Sequence, residues 1–180
     1  MLRTEPETQA PNEHVISIHE DYRAYTPPRW VRRTIEGLLA SVQQSHLSGL
    51  GSVVLTNSGT HKSQKGPRRT RRYVTVGRYH APRQSDPAWI ELIVDQIIVN
   101  MRFPLNTLQA QRDLVFGRVL FHELGHHLHR SHRGVGRTGE QGADAWRDRL
   151  LRIHIHRKYG YLRPLASVFR IIAAALRRYT

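Results

Sequence analysis

The spacing of apolar residues predicts several helices along the chain. Residues 29–46 carry apolar side chains at intervals of three and four, and two glycines that follow end this pattern. The same spacing predicts a long helix over residues 108–129 and another from residue 140 to about residue 158. A last amphipathic segment over residues 165–178 is rich in arginine and is also expected to be helical.

Short runs of β-branched and aromatic residues predict strands at residues 15–18, 53–56 and 73–79. Residues 89–101 fit two patterns, because their apolar positions have helical spacing while their isoleucine and valine content favours a strand. We predict a strand over residues 90–95, in part because the site described below needs a strand nearby. Helices and strands together predict an α+β fold.

The length of the chain limits it to one compact domain with tails. It has 180 residues, and domains cluster near about 100–150 residues, so two full cores would not fit. We expect a weakly structured segment over residues 1–28, a domain over residues 29–160 and a basic C-terminal helix over residues 161–180. No apolar run approaches the ~20 residues that span a bilayer, and the N-terminus lacks the apolar core of a secretory signal. We therefore expect a cytoplasmic protein.

The chain is strongly basic. Lys and Arg number 28 against 14 Asp and Glu, which gives a formal net charge of +14. Such a charge favours acidic partners, although an arginine-rich composition that only keeps the protein soluble would give the same value. Six cations and no acidic residue occupy a polar loop over residues 57–72, and the C-terminal helix is also basic, so nucleic acid is a candidate partner for both. That helix could instead lie on an anionic membrane, bind a partner helix or pack onto the core.

His122, Glu123 and His126 form the pattern H-E-x-x-H within the predicted long helix. Both histidines project from one face of a helix and can bind one zinc ion, while Glu123 can take a proton from a water on that ion as it attacks a carbonyl. Random placement of 12 His and 8 Glu would give only about 0.03 such patterns in the chain. Since the chain has no cysteine, any metal must be held by histidine and carboxylate.

Two residues compete for the place of third metal ligand. Glu140 lies at the start of the next predicted helix, and Asp144, one turn later, could accept a hydrogen bond from a zinc-bound histidine. His132 lies at the third-histidine position of the longer pattern H-E-x-x-H-x-x-G-x-x-H. That pattern needs a glycine where this chain has His129, and a methionine turn downstream, whereas both methionines lie upstream. We therefore predict Glu140 and keep His132 as the reserve.

The helix sequence over residues 119–126, followed by the segment over residues 140–144, resembles the gluzincin branch of the zinc metallopeptidases. It is most similar to the minimal gluzincins and to ImmA/IrrE-type domains. The similarity is close only over residues 119–146, and the coarse order of elements extends it to about residues 30–158. The resemblance implies a zincin-like fold with an N-terminal helix, a small twisted and mainly antiparallel sheet, an active-site helix and a glutamate-bearing helix.

The resemblance also implies roles for individual residues. It makes His122, His126 and Glu140 the zinc ligands, Glu123 the general base and Asp144 the support of a ligand histidine. These families use an edge strand to bind an extended peptide, and residues 90–95 are the candidate here. An oxyanion-stabilising group is also expected, for which the downstream candidates are His154, His156, Tyr159 and Tyr161.

We therefore expect a zinc-dependent endopeptidase that hydrolyses protein or peptide substrates through a metal-activated water. The alternative is a basic, nucleic-acid-associated protein in which zinc is structural, or a protease that acts at DNA. SprT-like proteases act on DNA-bound proteins and share the metal pattern. Their third ligand is a histidine, so the chain resembles them less well.

Overall fold

A computed structural model of the chain describes residues 16–60, 75–101, 108–131 and 139–162. Three features that the sequence analysis identified lie outside the described residues: the reserve ligand His132, the cations of the loop over residues 62–72, and the helix expected over residues 165–178. Within the described part, no helix is long and apolar enough to cross a membrane.

The described strands form one four-stranded mixed sheet in the order β1-β2-β4-β3. The strands are β1 (Ser17–Asp21), β2 (Leu50–Thr56), β3 (Gly77–His80) and β4 (Ala88–Ile93). β2 is parallel to both β1 and β4, and only β3 is antiparallel to its neighbour, β4. The expectation of a mainly antiparallel sheet is therefore wrong. A helical crossover separates β1 from β2, and such a connection lets consecutive strands run in the same direction.

The first strand lies inside the segment over residues 1–28, which the sequence predicts to be weakly structured. β1 occupies Ser17–Asp21, a little after the strand expected at residues 15–18. Each of its residues pairs with β2, from Ser17 beside Ser52 to Asp21 beside Thr56. Its side chains are mostly exposed, so the alternation of buried and exposed residues that reveals a strand in a sequence is weak here.

The predicted helix over residues 29–46 is two helices, α1 (Trp30–Leu39) and α2 (Gln44–Leu47). The Ser41 hydroxyl donates a hydrogen bond to the carbonyl oxygen of Leu38, and Gln43 adopts an extended backbone that interrupts the helix. The apolar spacing continues across this turn because Val42 and Leu47 are buried in the same core as α1.

The ambiguous segment over residues 89–101 contains both kinds of structure. β4 ends at Ile93, and a short helix α3 (Val94–Val99) follows at once. The predicted strand is therefore correct up to Ile93, whereas Asp95 belongs to α3. The chain turns into α3 where the Asp95 carboxylate accepts a hydrogen bond from the backbone N–H of Ser58, 2.9 Å away.

Two long helices, α4 (Gln109–Ser131) and α5 (Gly139–Tyr159), confirm the helices predicted over residues 108–129 and 140–158. A 3₁₀ turn, Gly160–Leu162, follows α5. Asp113 near the start of α4 contacts Lys158 at the end of α5, and Gly125 contacts Ala143 near the start of α5. The two helices therefore run antiparallel, and the far half of α4 lies beside the first turns of α5.

The hydrophobic core lies between the sheet and α4, with α1 alongside. Apolar residues of β2 and β4 alternate toward this side, and α4 turns an apolar stripe onto them. The fully buried side chains of this core include Leu38, Leu55, Ile90, Leu92, Phe116, Phe121 and Leu124. α4 is thereby fixed against the sheet, and the residues on its flank are held in one position.

Candidate metal centre

Helix α4 places the two histidines of the H-E-x-x-H pattern side by side. The ring centroids of His122 and His126 are 4.8 Å apart and the ring planes are nearly perpendicular, at 88°. Both side chains are partly exposed on the flank of α4, so they are accessible to an ion and to solvent. Burial lowers the pKa of His126, and the neighbouring His122 lowers it further, which favours the neutral imidazole that a metal needs.

Helix α5 contributes a carboxylate to the same point. Glu140 Oε2 lies 3.4 Å from His122 Nε2, and Glu140 Oε1 lies 3.6 Å from His126 Nε2. Donor atoms of all three residues lie within 4.8 Å of one another. Ligands about 2.0–2.1 Å from a tetrahedral zinc are about 3.3–3.4 Å apart. The donor set, two imidazole nitrogens and one carboxylate, therefore suits zinc in chemistry, and the two separations that involve Glu140 are close to this spacing.

Asp144, one turn along α5, contacts the other nitrogen of His122. Its Oδ1 atom lies 2.9 Å from His122 Nδ1 and also accepts a hydrogen bond from Arg147, at 2.6 Å. When Nδ1 carries the proton and donates to Asp144, the Nε2 lone pair faces Glu140 and the candidate metal position. The structure thus brings together four of the predicted residues, His122, His126, Glu140 and Asp144.

The fifth predicted residue, Glu123, is buried on the sheet side of α4, with 8% of its surface exposed. Burial raises the pKa of its carboxyl group, while His122, the backbone N–H of Tyr79 and Arg78 act in the opposite direction. Glu123 and the two histidines line the same cavity, which has a volume of about 920 Å³. A carboxylate with a raised pKa beside an ion site is suited to accept a proton from water.

Two glycines explain why α5 lies close enough to supply Glu140. A Cβ atom at position 125 would lie 2.5 Å from the carbonyl oxygen of Ala143, so only glycine permits this approach of α4 to α5. On α5, a Cβ atom at position 142 would clash with the imidazole of His129. The helices therefore meet at backbone distance beside the candidate metal ligands.

The opposite wall of the cavity is strand β3 and the residues that lead into it. Thr75, Gly77, Arg78 and Tyr79 face the two histidines of α4. In the described sheet β3 is bonded on one side only, to β4, so its other edge borders the cavity. The expectation that residues 90–95 form this edge is wrong, because β4 lies between β2 and β3 and both of its edges are paired.

Sequence reasoning missed the role of Gly77. A Cβ atom at this position would lie 2.7 Å from Val119 Cγ1 and 3.0 Å from Glu123 Oε1. The absence of a side chain therefore lets β3 approach α4 and lets Tyr79 donate its N–H to the Glu123 carboxylate. A glycine inside a strand pattern is a signal of such close approach, and residue 77 stands inside the strand predicted at residues 73–79.

Tyr79 is fixed by His127, the residue that follows His126. The Tyr79 hydroxyl lies 3.3 Å from His127 Nδ1, and His127 Nε2 lies 3.0 Å from the carbonyl oxygen of Ser48, to which it donates. His127 is buried and lies outside the ligand set. It connects α4 to β3 and to the turn before β2, and thereby supports the wall of the cavity.

The candidates for oxyanion stabilisation lie away from the cavity. The buried His154 contacts Asp113 and Ser41, and the Tyr159 hydroxyl also donates to Asp113. These contacts lie at the opposite end of α4 from the metal ligands, near residue 113. His156 and Tyr161 are exposed and do not line the cavity either.

Comparison of the chain with protein-family models, with curated proteins and with solved structures finds no match in any of the three.

Proposed function

We propose that the protein is a zinc-dependent metalloendopeptidase. The observation that carries the proposal is the convergence of His122, His126 and Glu140 on one point beside the buried carboxylate of Glu123. Among the residues that the structure describes, the group has three protein donors and an adjoining cavity, which is typical of a catalytic zinc, whereas structural zinc sites are closed by four protein ligands. This difference favours the peptidase over a protein in which zinc is only structural.

In this proposal His122, His126 and Glu140 hold the zinc and Asp144 orients His122. When bound, zinc supplies a Lewis acid that polarises a carbonyl group and acidifies water. Glu123 accepts the proton of the attacking water and afterwards delivers it to the nitrogen of the departing amine. Its burial keeps the carboxylate basic enough for the first transfer, and the Tyr79 N–H holds it in position.

The open edge of β3 supports a peptide as the substrate. Residues Gly77–His80 pair with β4 on one side, and the cavity lies along their other side. An extended peptide can add to such an edge through main-chain hydrogen bonds, which places a scissile carbonyl between β3 and α4. Because backbone groups make these bonds, the arrangement suits substrates of varied sequence.

The test combines metal analysis with the cleavage of a protein substrate. We expect one zinc per chain in wild type, the same zinc content in Glu123→Gln, and a rate reduced about 10²- to 10⁴-fold in that variant. Glu140→Ala should lose the zinc. A wild-type protein without stoichiometric zinc would refute the proposal, and full activity of Glu123→Gln would refute the assigned base.

A further inference from the structure

The positive charge of the chain is concentrated in two segments. Residues 62–72 contain six Lys or Arg and no Asp or Glu, and residues 149–180 contain eight and none. The remaining 14 Lys and Arg equal the 14 Asp and Glu in number, so these two segments carry the whole net charge of +14. A composition that was basic only for solubility would distribute its cations more evenly.

The structure describes the first part of the second segment, where α5 exposes a basic face. Each of its members lies three or four positions from another member along α5, which puts all five on one side of the helix: Arg149, Arg152, Ile153, His156 and Arg157. At 100° per residue they cover about 140° of the helix circumference, and they extend about 12 Å along its axis. We refer to these five residues as the α5 basic face.

The carboxylates of α5 do not neutralise this face. Glu140, Asp144 and Asp148 all precede Arg149, and the last two bind Arg147 at 2.6 and 2.9 Å. Among the described residues, no carboxylate lies within ion-pair distance of Arg149, Arg152 or Arg157. Lys158 differs, because Asp113 binds its ammonium group at 2.7 Å. The three arginines therefore have no carboxylate partner among the described residues, and the Arg149 guanidinium lies over the Trp146 ring, 5.2 Å from its centroid, without losing its charge.

We infer that the α5 basic face binds the phosphate backbone of double-stranded DNA. An α-helix is about 10–12 Å wide and fits the major groove, which is about 12 Å wide. Arg152 and Arg157 lie at the two edges of the arc and can each reach a phosphate strand, while Arg149 extends the contact along the helix. The binding has no sequence preference, because phosphate contacts position a protein without reading bases.

Other anionic partners fit the face less well. Single strands are bound by successive exposed aromatic side chains that stack on bases, and the five residues of the α5 basic face include no Phe, Tyr or Trp. Trp146, earlier on α5, is packed edge-on against His46, and the exposed Tyr161 lies beyond the end of α5. Membrane binding needs a broad apolar face, whereas Ile153 is the only apolar residue among the five. A duplex needs only the charge and the helical shape.

The experiment measures binding of the full-length protein to a short fluorescent duplex by anisotropy, between about 50 and 200 mM salt. The test variant is the triple Arg149→Gln, Arg152→Gln, Arg157→Gln. The control triple is Arg23→Gln, Arg29→Gln, Arg83→Gln, which lowers the net charge equally through exposed arginines outside α5. Circular dichroism of both variants establishes that α5 is intact.

We expect the test triple to lose affinity at least about tenfold and to reduce the slope of log K against log salt by about 2 to 3, while the control triple stays near wild type. Equal loss in the two triples would refute the inference, since it would show that only net charge matters. Tighter binding of a matching single strand, or of anionic vesicles, would also refute it. Binding should persist in Glu123→Gln, so the outcome is independent of peptidase activity.

Discussion

Asp144 Oδ1 lies 2.9 Å from Nδ1 of His122, on the side of the ring away from the candidate metal position. The contact joins α5 to α4 and determines which nitrogen of His122 keeps its lone pair. Because Glu140 and Asp144 are one turn apart on α5, one helix supplies both a candidate ligand and the group that orients another.

Replacing Asp144 with alanine should weaken zinc binding about 10- to 100-fold, because His122 loses the partner that fixes its tautomer and ring orientation. Competition with a chelator measures the effect. Asp148→Ala is the matched control, since Asp148 also binds Arg147 but contacts no histidine. Equal zinc affinity in Asp144→Ala and Asp148→Ala would contradict the role assigned to Asp144.

The contact between α4 and α5 leads to a second prediction. Gly125→Ala should destabilise the protein by about 1–3 kcal/mol and lower zinc affinity, because a Cβ atom 2.5 Å from the Ala143 carbonyl oxygen forces α5 and Glu140 away from α4. Chemical denaturation and zinc titration measure the two effects. Gly139→Ala serves as control, since its Cβ atom would meet nothing within 4 Å. If both variants behave like wild type, the close approach is not needed.

The closeness of His122 and His126 could be predicted from sequence, since residues four apart lie on one face of a helix. The position of Glu140 beside both histidines agrees with the choice of that residue over His132, which lies outside the described residues. The close approach of α4 and α5 could not be predicted from the sequence. It depends on Gly125 lying against Ala143 and on Gly142 lying against His129, and a sequence does not reveal which residue a glycine faces across a helix interface.

The topology of the sheet was less predictable for a related reason. Strand order depends on long-range pairing, and β4 carries buried residues on both faces, which hides the period of two in its sequence. The same apolar richness allowed residues 89–101 to be interpreted as either a helix or a strand. Which strand lies at the edge became clear only from the pairing of β3 with β4.

A buried network at the far end of α4 leads to a prediction about pH. Asp113 is fully buried, which alone would raise the pKa of its carboxyl group, but hydrogen bonds from His154, Lys158 and Tyr159 outweigh burial and lower it. The ordinary pKa of an aspartate carboxyl group is 3.8. A carboxyl group whose pKa is lower in the folded state stabilises the fold at pH values above this ordinary pKa. That stabilisation is lost as the pH falls below about 4 toward the lowered pKa.

Asp113→Asn should therefore lower the free energy of unfolding by about 1–3 kcal/mol at neutral pH, because the variant removes the carboxylate that accepts hydrogen bonds from the buried His154 and from Lys158 and Tyr159. The difference from wild type should shrink in acid. Urea denaturation at pH 7 and pH 3 measures both values, and Asp148→Asn, an exposed carboxylate of α5, provides the comparison. A difference that does not change between the two pH values would contradict the role of the ionised carboxylate.

Gly77→Ala should displace the Glu123 carboxylate and lower kcat without changing the zinc content of the protein. The new Cβ atom would lie 3.0 Å from Glu123 Oε1 and 2.7 Å from Val119 Cγ1, so β3 and the carboxylate must move apart, and the Tyr79 N–H loses its contact with Glu123. A displacement of about 1 Å lowers kcat about 100-fold, while zinc content should stay at the wild-type level because the atoms nearest the new Cβ belong to Val119 and Glu123 and not to the candidate ligands. The measurement is kcat and zinc stoichiometry on the same preparation, with Gly139→Ala as the control. Loss of zinc together with kcat would show that β3 supports the whole site, and an unchanged kcat would show that the position of Glu123 does not depend on β3.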